Sequence, residues 1–138
     1  MSGTSLHTFT PNPGAINNVI EALESRPFLD LRRDADIFRA LGWAVKAPIL
    51  RGRWRIRSPI QSEWQDMPLP SLLVTDAARL VPYGWSWAAG VDRVPVACVH
   101  LPHQPVEFRC QGVSPALALT KAALLAQRWC AMRHAVPA

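Results

Sequence analysis

The chain has 138 residues, of which 49% are hydrophobic and 18% charged, and a formal net charge of +5. That balance excludes a disordered polyelectrolyte, and the length suits one domain better than two independent cores. No apolar run approaches the roughly 18 residues needed to cross a bilayer. Residues 1–13 lack the basic and apolar regions of a secretory signal.

Residues 1–14 contain three Thr, two Ser, two Pro and two Gly, the composition of a flexible lead-in. Residues 15–134 are expected to form a single domain. Ile16, Val19, Ile20 and Leu23 recur at helical spacing, so Ala15–Ser25 reads as a short amphipathic helix that ends before Pro27. A second helix is expected over Asp30–Leu41. Leu31, Ala35, Phe38 and Leu41 form its stripe, Asp30 suits its N-cap and Gly42 its C-terminal stop. Its charges, Arg32, Arg33, Asp36 and Arg39, read as a solvated face.

From Trp43 to Pro70 the helical period is lost. This stretch holds four prolines, three tryptophans and the alternating piece Arg51-Gly-Arg-Trp-Arg-Ile-Arg57. As a strand, the piece would set four arginines on one face and Trp54 and Ile56 on the other. A helix is then predicted from an N-cap at Ser71 to about Val81. Strands are predicted at Trp85–Val91 and Pro95–Leu101 around a turn at Asp92-Arg93, and at Val106–Gln111. The last element is a helix with Ser114 as N-cap and Pro115 in its first turn. Its inward stripe is Ala118, Leu119, Ala122, Leu125, Ala126 and Trp129, with Thr120, Lys121, Gln127 and Arg128 opposite. Three strands joined by short turns predict an antiparallel β-meander of three to four strands packed with helices, an α+β fold.

Three sequence blocks, taken in order, resemble the phage ABA sandwich domain family of small phage and prophage proteins. They are Asp34-Ala-Asp-Ile-Phe-Arg-Ala-Leu-Gly-Trp43, Asp76-Ala-Ala-Arg-Leu-Val-Pro-Tyr-Gly-Trp85 and Ser114-Pro-Ala-Leu-Ala-Leu-Thr-Lys-Ala-Ala-Leu-Leu-Ala126. The resemblance spans Ile16 to Ala126 and rests on the order and spacing of the blocks. It implies an α/β/α sandwich and a bacterial host, and it carries no catalytic residues over. The Arg51–Arg57 segment is not associated with the family, and Tyr83 stands where an acidic residue is commoner.

Chemistry-bearing constellations are sparse. His100 and His103 flank a proline turn, with Cys98 and Cys110 as the nearest further ligands, and read as turn histidines rather than a metal site. Asp34 and Asp36, two apart on a helix, face different ways and make no carboxylate pair. Cys130 and His134 share only helical spacing. There is no nucleophile elbow, and the seven glycines are scattered rather than gathered in a phosphate loop. Cys98, Cys110 and Cys130 are an odd, widely spaced set, which predicts free thiols in a reducing compartment. No enzyme activity, metal or cofactor is expected, and the expected location is the bacterial cytoplasm.

The charge is more informative. Lys46, Arg51, Arg53, Arg55 and Arg57 lie between Trp43 and Ser62 with no acid among them, while the rest of the chain carries ten basic and ten acidic residues. The whole excess therefore sits in one segment. Trp85, Trp87 and Trp129 read as core residues. Trp43, Trp54 and Trp64 either pin the long loop to the domain or present a surface, since Trp and Arg are enriched at interaction hot spots. The candidate partner-binding residues are Lys46, Arg51, Arg53, Trp54, Arg55, Arg57 and Trp64. The family context implies a non-catalytic accessory protein that binds a host or phage protein, one concrete form being inhibition of a bacterial defence system. The alternative is a nucleic-acid-binding module in which the arginines track phosphates and Trp54 or Trp43 stacks on bases. A further reading makes the alternation a charge-protected edge strand.

Overall fold

In the computed structural model, which describes residues 9–26, 30–49 and 52–135, helix α1 (Pro13–Ser25) starts two residues before the apolar stripe requires. Asn12 accepts a hydrogen bond from the Ala15 N–H at 3.0 Å, and Pro13 takes the first helical position. Ile16, Val19 and Leu23 are its buried face. Helix α2 (Leu31–Ala40) is capped by Asp30, whose carboxylate accepts from the Arg32 N–H at 2.9 Å.

At the far end of α2, Gly42 adopts φ 87°. Its N–H donates to the Arg39 carbonyl at 3.0 Å and the Trp43 N–H to that of Phe38 at 2.9 Å, which satisfies carbonyls the helix would leave orphaned. Glycine is required here twice over. The conformation is left-handed, and a Cβ would sit 2.8 Å from the Thr10 carbonyl oxygen. Thr10 approaches because its N–H and that of Asn12 donate to the Leu41 and Ala40 carbonyls, both at 2.8 Å. Phe9 adds a ring contact to Trp43 with centroids 5.8 Å apart. The lead-in is thus tied down from residue 9.

The irregular stretch contains a small antiparallel sheet of β1 (Ala44–Lys46), β2 (Arg55–Arg57) and β3 (Gln65–Asp66), in that order. This corrects two expectations. The basic strand covers three residues rather than Arg51–Arg57, and it is the middle strand, not an edge. Val45 pairs with Ile56 and Ile56 with Gln65, so both sides of β2 are occupied. Arg51 lies outside the described residues.

Helix α3 (Val74–Ala78) is also shorter than the expected Ser71–Val81, and its cap position is Leu73. Ser71 is unavailable as a cap. Its N–H and hydroxyl donate to the buried Asp34 carboxylate at 3.3 and 2.9 Å. The inward residues are those the period indicates: Ala77 is buried, and Val74, Ala78 and Val81 pack beside it.

Strands β4 (Ser86–Asp92), β5 (Val94–Leu101) and β6 (Val106–Gln111) form the antiparallel meander. Arg93 turns between the first two at φ 66°, and His103 between the last two at the same angle. The closing helix α4 (Pro115–Ala135) is held at its start by the Leu117 N–H, which donates to the Ser114 hydroxyl at 3.2 Å. The class is therefore α+β.

Helix α4 organises the interior. Ala118, Leu119, Ala122 and Ala126 meet Ala97 and Val99 of β5 in one core, with Ala89, Phe108 and Cys110 at its margin. Small alanines allow that close approach of helix to sheet. Leu117, Ala123 and Leu124 join the larger core with Ile16, Leu23, Ile37, Phe38, Trp43 and Ile56. Because α4 is covered on more than one side, Thr120 and Gln127 are not on a solvated face as expected. They are 0% and 5% exposed. The Thr120 hydroxyl lies 2.8 Å from the carbonyls of both Pro70 and Ala116, and the Gln127 amide donates to the Leu80 carbonyl at 2.8 Å.

The face of the meander turned away from α4 is bare among the described residues, and Ser86, Ala88, His100, Glu107, Arg109 and Gln111 are exposed on it. Trp85 stacks on Phe108 at 6.2 Å and meets Trp129 edge-on at 5.6 Å. Trp87 departs from the core reading, for it shares the α4-facing side of β4 with Trp85 and Ala89 yet is 44% exposed. None of the described helices is long and apolar enough to cross a membrane.

Candidate binding surface

The register of the first sheet sorts its side chains. Val45, Ile56 and Gln65 share one face, with Ile56 fully buried and Val45 packed against the larger core. Lys46, Arg55, Arg57 and Asp66 therefore share the other, since strand residues alternate in direction. Burying one isoleucine is what turns the cations outward.

Lys46 lies directly opposite Arg55, an arrangement of like charges that costs stability in a sheet. Two features offset it. Asp66 lies beside both Arg53, at 3.1 Å from Nη1, and Arg55, at 4.0 Å from Nε. The Trp64 ring carries the Arg57 guanidinium 4.7 Å from its centroid and the Lys46 ammonium at 5.6 Å, within the range of cation–π attraction. The ion pairs are exposed, with side-chain accessibilities of 80% for Arg53, 51% for Arg55 and 55% for Asp66. Such pairs contribute about 0.2–1 kcal/mol, so they bias the cations without sequestering them.

Of the seven residues singled out in the sequence, Lys46, Arg53, Arg55, Arg57 and Trp64 come together here. Trp54 does not present a surface; it is half-buried and packs against the larger core. Trp43, the other ring offered for stacking, is 4% exposed. Both pin the loop to the domain.

Sequence reasoning missed the acidic and apolar border of this surface. Asp66 enters through β3, a strand too short to show alternation, and Glu63 is exposed next to Trp64. Beside the ring is an open depression of about 440 Å³ lined by Ile60, Gln61, Ser62, Glu63, Trp64 and Gln65. Ile60 is 76% exposed there. The available signal was that the acid-free window ends at Ser62, immediately before Glu63.

Elsewhere the ionisable groups are quieter. Burial pushes all three thiols up from their ordinary value, and at Cys98 the hydrogen bond to Glu107, 3.1 Å from Sγ, adds to the effect. A raised thiol holds little thiolate, the form that attacks and binds metals. His100 and His103 are exposed, and the described residues contain no group of three or more His, Cys, Asp or Glu placed to hold a metal. Asp34, which the helical spacing turns away from Asp36, is fully buried, and burial pushes its carboxyl up to about 6. Comparison of the chain with family models, with curated proteins and with solved structures returned no match.

Proposed function

We propose that this chain is a non-catalytic accessory protein of phage or prophage context, acting in the bacterial cytoplasm by docking the basic face of its first sheet onto an acidic surface of a host or phage protein. The observation that carries the reading is the mixed chemistry of that face. Lys46 and Arg57 lie over the Trp64 ring, Arg53 and Arg55 lie beside Asp66, and the exposed Ile60 and an open depression adjoin the ring. An arginine and tryptophan centre with an apolar neighbour matches the composition of protein interaction hot spots. Turnover is disfavoured by raised thiols and by an Asp34 carboxylate already engaged by Ser71.

The same face argues against nucleic acid as the primary partner. Trp43 and Trp54, which would have stacked on bases, are committed to the core. Glu63 and Asp66 border the cations, and a phosphate backbone would meet them as like charges. The discriminating experiment is binding to labelled single-stranded and duplex oligonucleotides over a salt series. The proteins compared are the wild type and a Lys46→Ser, Arg55→Ser, Arg57→Ser variant. The proposal expects no difference between them. Wild-type binding with a salt slope that falls by about 0.9 for each lost duplex contact would transfer the site to nucleic acid.

A further inference from the structure

Strand β4 is the outer strand of the meander, paired with β5 alone among the described residues. A free strand edge exposes unpaired N–H and C=O groups, and proteins usually blunt it by shortness, charge or proline. The other outer strands follow that rule. β1 has three residues including Lys46, β3 has two, and β6 carries Glu107 and Arg109. β4 has seven residues, Ser86-Trp-Ala-Ala-Gly-Val-Asp92, with no proline and one charge at its end.

Its side chains are arranged symmetrically. Trp87 and Val91 are each two residues from Ala89 and share its face of the strand. Both are exposed, at 44% and 70%. If two copies of β4 lie antiparallel with Ala89 against Ala89, Trp87 of each copy falls opposite Val91 of the other. On the reverse face Ala88 falls opposite Gly90, and Ser86 opposite Asp92. Every position then meets a compatible one: an aromatic with a β-branched residue, small with small, and a hydroxyl with a carboxylate. No like charges oppose. A shift of one residue would set Trp87 opposite Gly90 or Asp92 and lose the match.

We infer that β4 is a homodimerisation edge. A second copy of this chain pairs antiparallel with it about a twofold axis at Ala89, joining the two meanders into one six-stranded sheet. The interface is isologous, since the same strand serves both copies, and aromatic with β-branched pairs are the favoured cross-strand contacts in sheets. The basic face lies on the other sheet, so the dimer would present two copies of it.

Sedimentation velocity of the full chain across the micromolar range tests the inference, with circular dichroism confirming that each variant is folded. The wild type is expected to shift from monomer to dimer as concentration rises. Val91→Glu, at a largely exposed position, sets a carboxylate against the partner's Trp87 and should raise the dimer dissociation constant by about tenfold or more, the equivalent of about 1.4 kcal/mol. Adding Trp87→Lys in the same chain places Lys opposite Glu twice and should recover most of the loss, now with salt sensitivity. A wild type that stays monomeric overturns the inference. So does a Val91→Glu variant that dimerises like the wild type, and a double variant that fails to recover overturns the register.

Discussion

Asp34 on α2 and Ser71, thirty-seven residues later, are joined by two hydrogen bonds in the interior: the Ser71 hydroxyl donates to one carboxylate oxygen at 2.9 Å and its N–H to the other at 3.3 Å. This pair ties the loop ahead of α3 to the second helix and explains why Ser71 caps nothing. Burial of the site also raises the pKa of Asp34. Burial is the largest cause of its raised pKa; the Ser71 bonds oppose the shift, while the charges of Asp30 and Asp76 add to it.

With the folded-state pKa at about 6 and the ordinary value at 3.8, the native state holds the proton more tightly than the unfolded chain. The stability due to this group is complete below about pH 4 and is lost as pH rises through about 6. The loss amounts to about 3 kcal/mol. Asp34→Asn cannot titrate. Urea unfolding of the two proteins from pH 4 to 7.5 should show the wild type losing about that much relative to the variant, and parallel profiles would refute the assignment.

Gly42→Ala should destabilise the protein by about 1–2 kcal/mol from the left-handed conformation alone. The contact with the Thr10 backbone makes that a lower bound. Thermal unfolding measures it, and no loss would mean that residue 42 tolerates a side chain in a positive φ.

Within α4 the ranking of substitutions follows burial rather than polarity. Leu124→Ala empties a fully buried site and should cost about 2–5 kcal/mol. Thr120→Val leaves the Pro70 carbonyl without its hydroxyl donor and should cost about 1–3 kcal/mol. Lys121→Ala removes a 3.7 Å ion pair to the exposed Glu24 and should cost less than about 1 kcal/mol. Denaturant titration of the three variants gives the order.

The thiols should be sluggish. With every cysteine pushed upward by burial, reaction of the folded protein with a disulfide reagent at neutral pH should be much slower than that of the unfolded chain. Glu107→Gln removes the charge that helps raise Cys98 and should speed its modification several-fold. An unchanged rate would show that Glu107 does not hold the Cys98 proton.

What is legible in the sequence follows from how far each signal reaches. α4 and the meander announce themselves because caps, a Pro in the first turn and strand alternation are local. The interior role of Thr120 and Gln127 is not legible, since a helix covered on more than one side has no solvated face, and their partners, the Pro70 and Leu80 carbonyls, come from distant loops. The bond of Asp34 to Ser71 is hidden for the same reason, the two being thirty-seven residues apart. In the candidate surface, the cations and Trp64 are visible as composition. The alternation already sets Trp54 with Ile56 opposite the arginines, but the contribution of Asp66 depends on pairing among three strands of two or three residues, where periodicity has no room to show.

The role of the basic face is tested most directly by affinity capture from a nuclease-treated bacterial lysate, with the wild type and the Lys46→Ser, Arg55→Ser, Arg57→Ser variant as matched baits and quantitative mass spectrometry of the eluates. The account predicts a protein recovered about tenfold or more in excess on the wild type and released by raised salt, because contacts on an exposed face are screened. Equal recovery on both baits, or recovery that depends on intact nucleic acid, would contradict it.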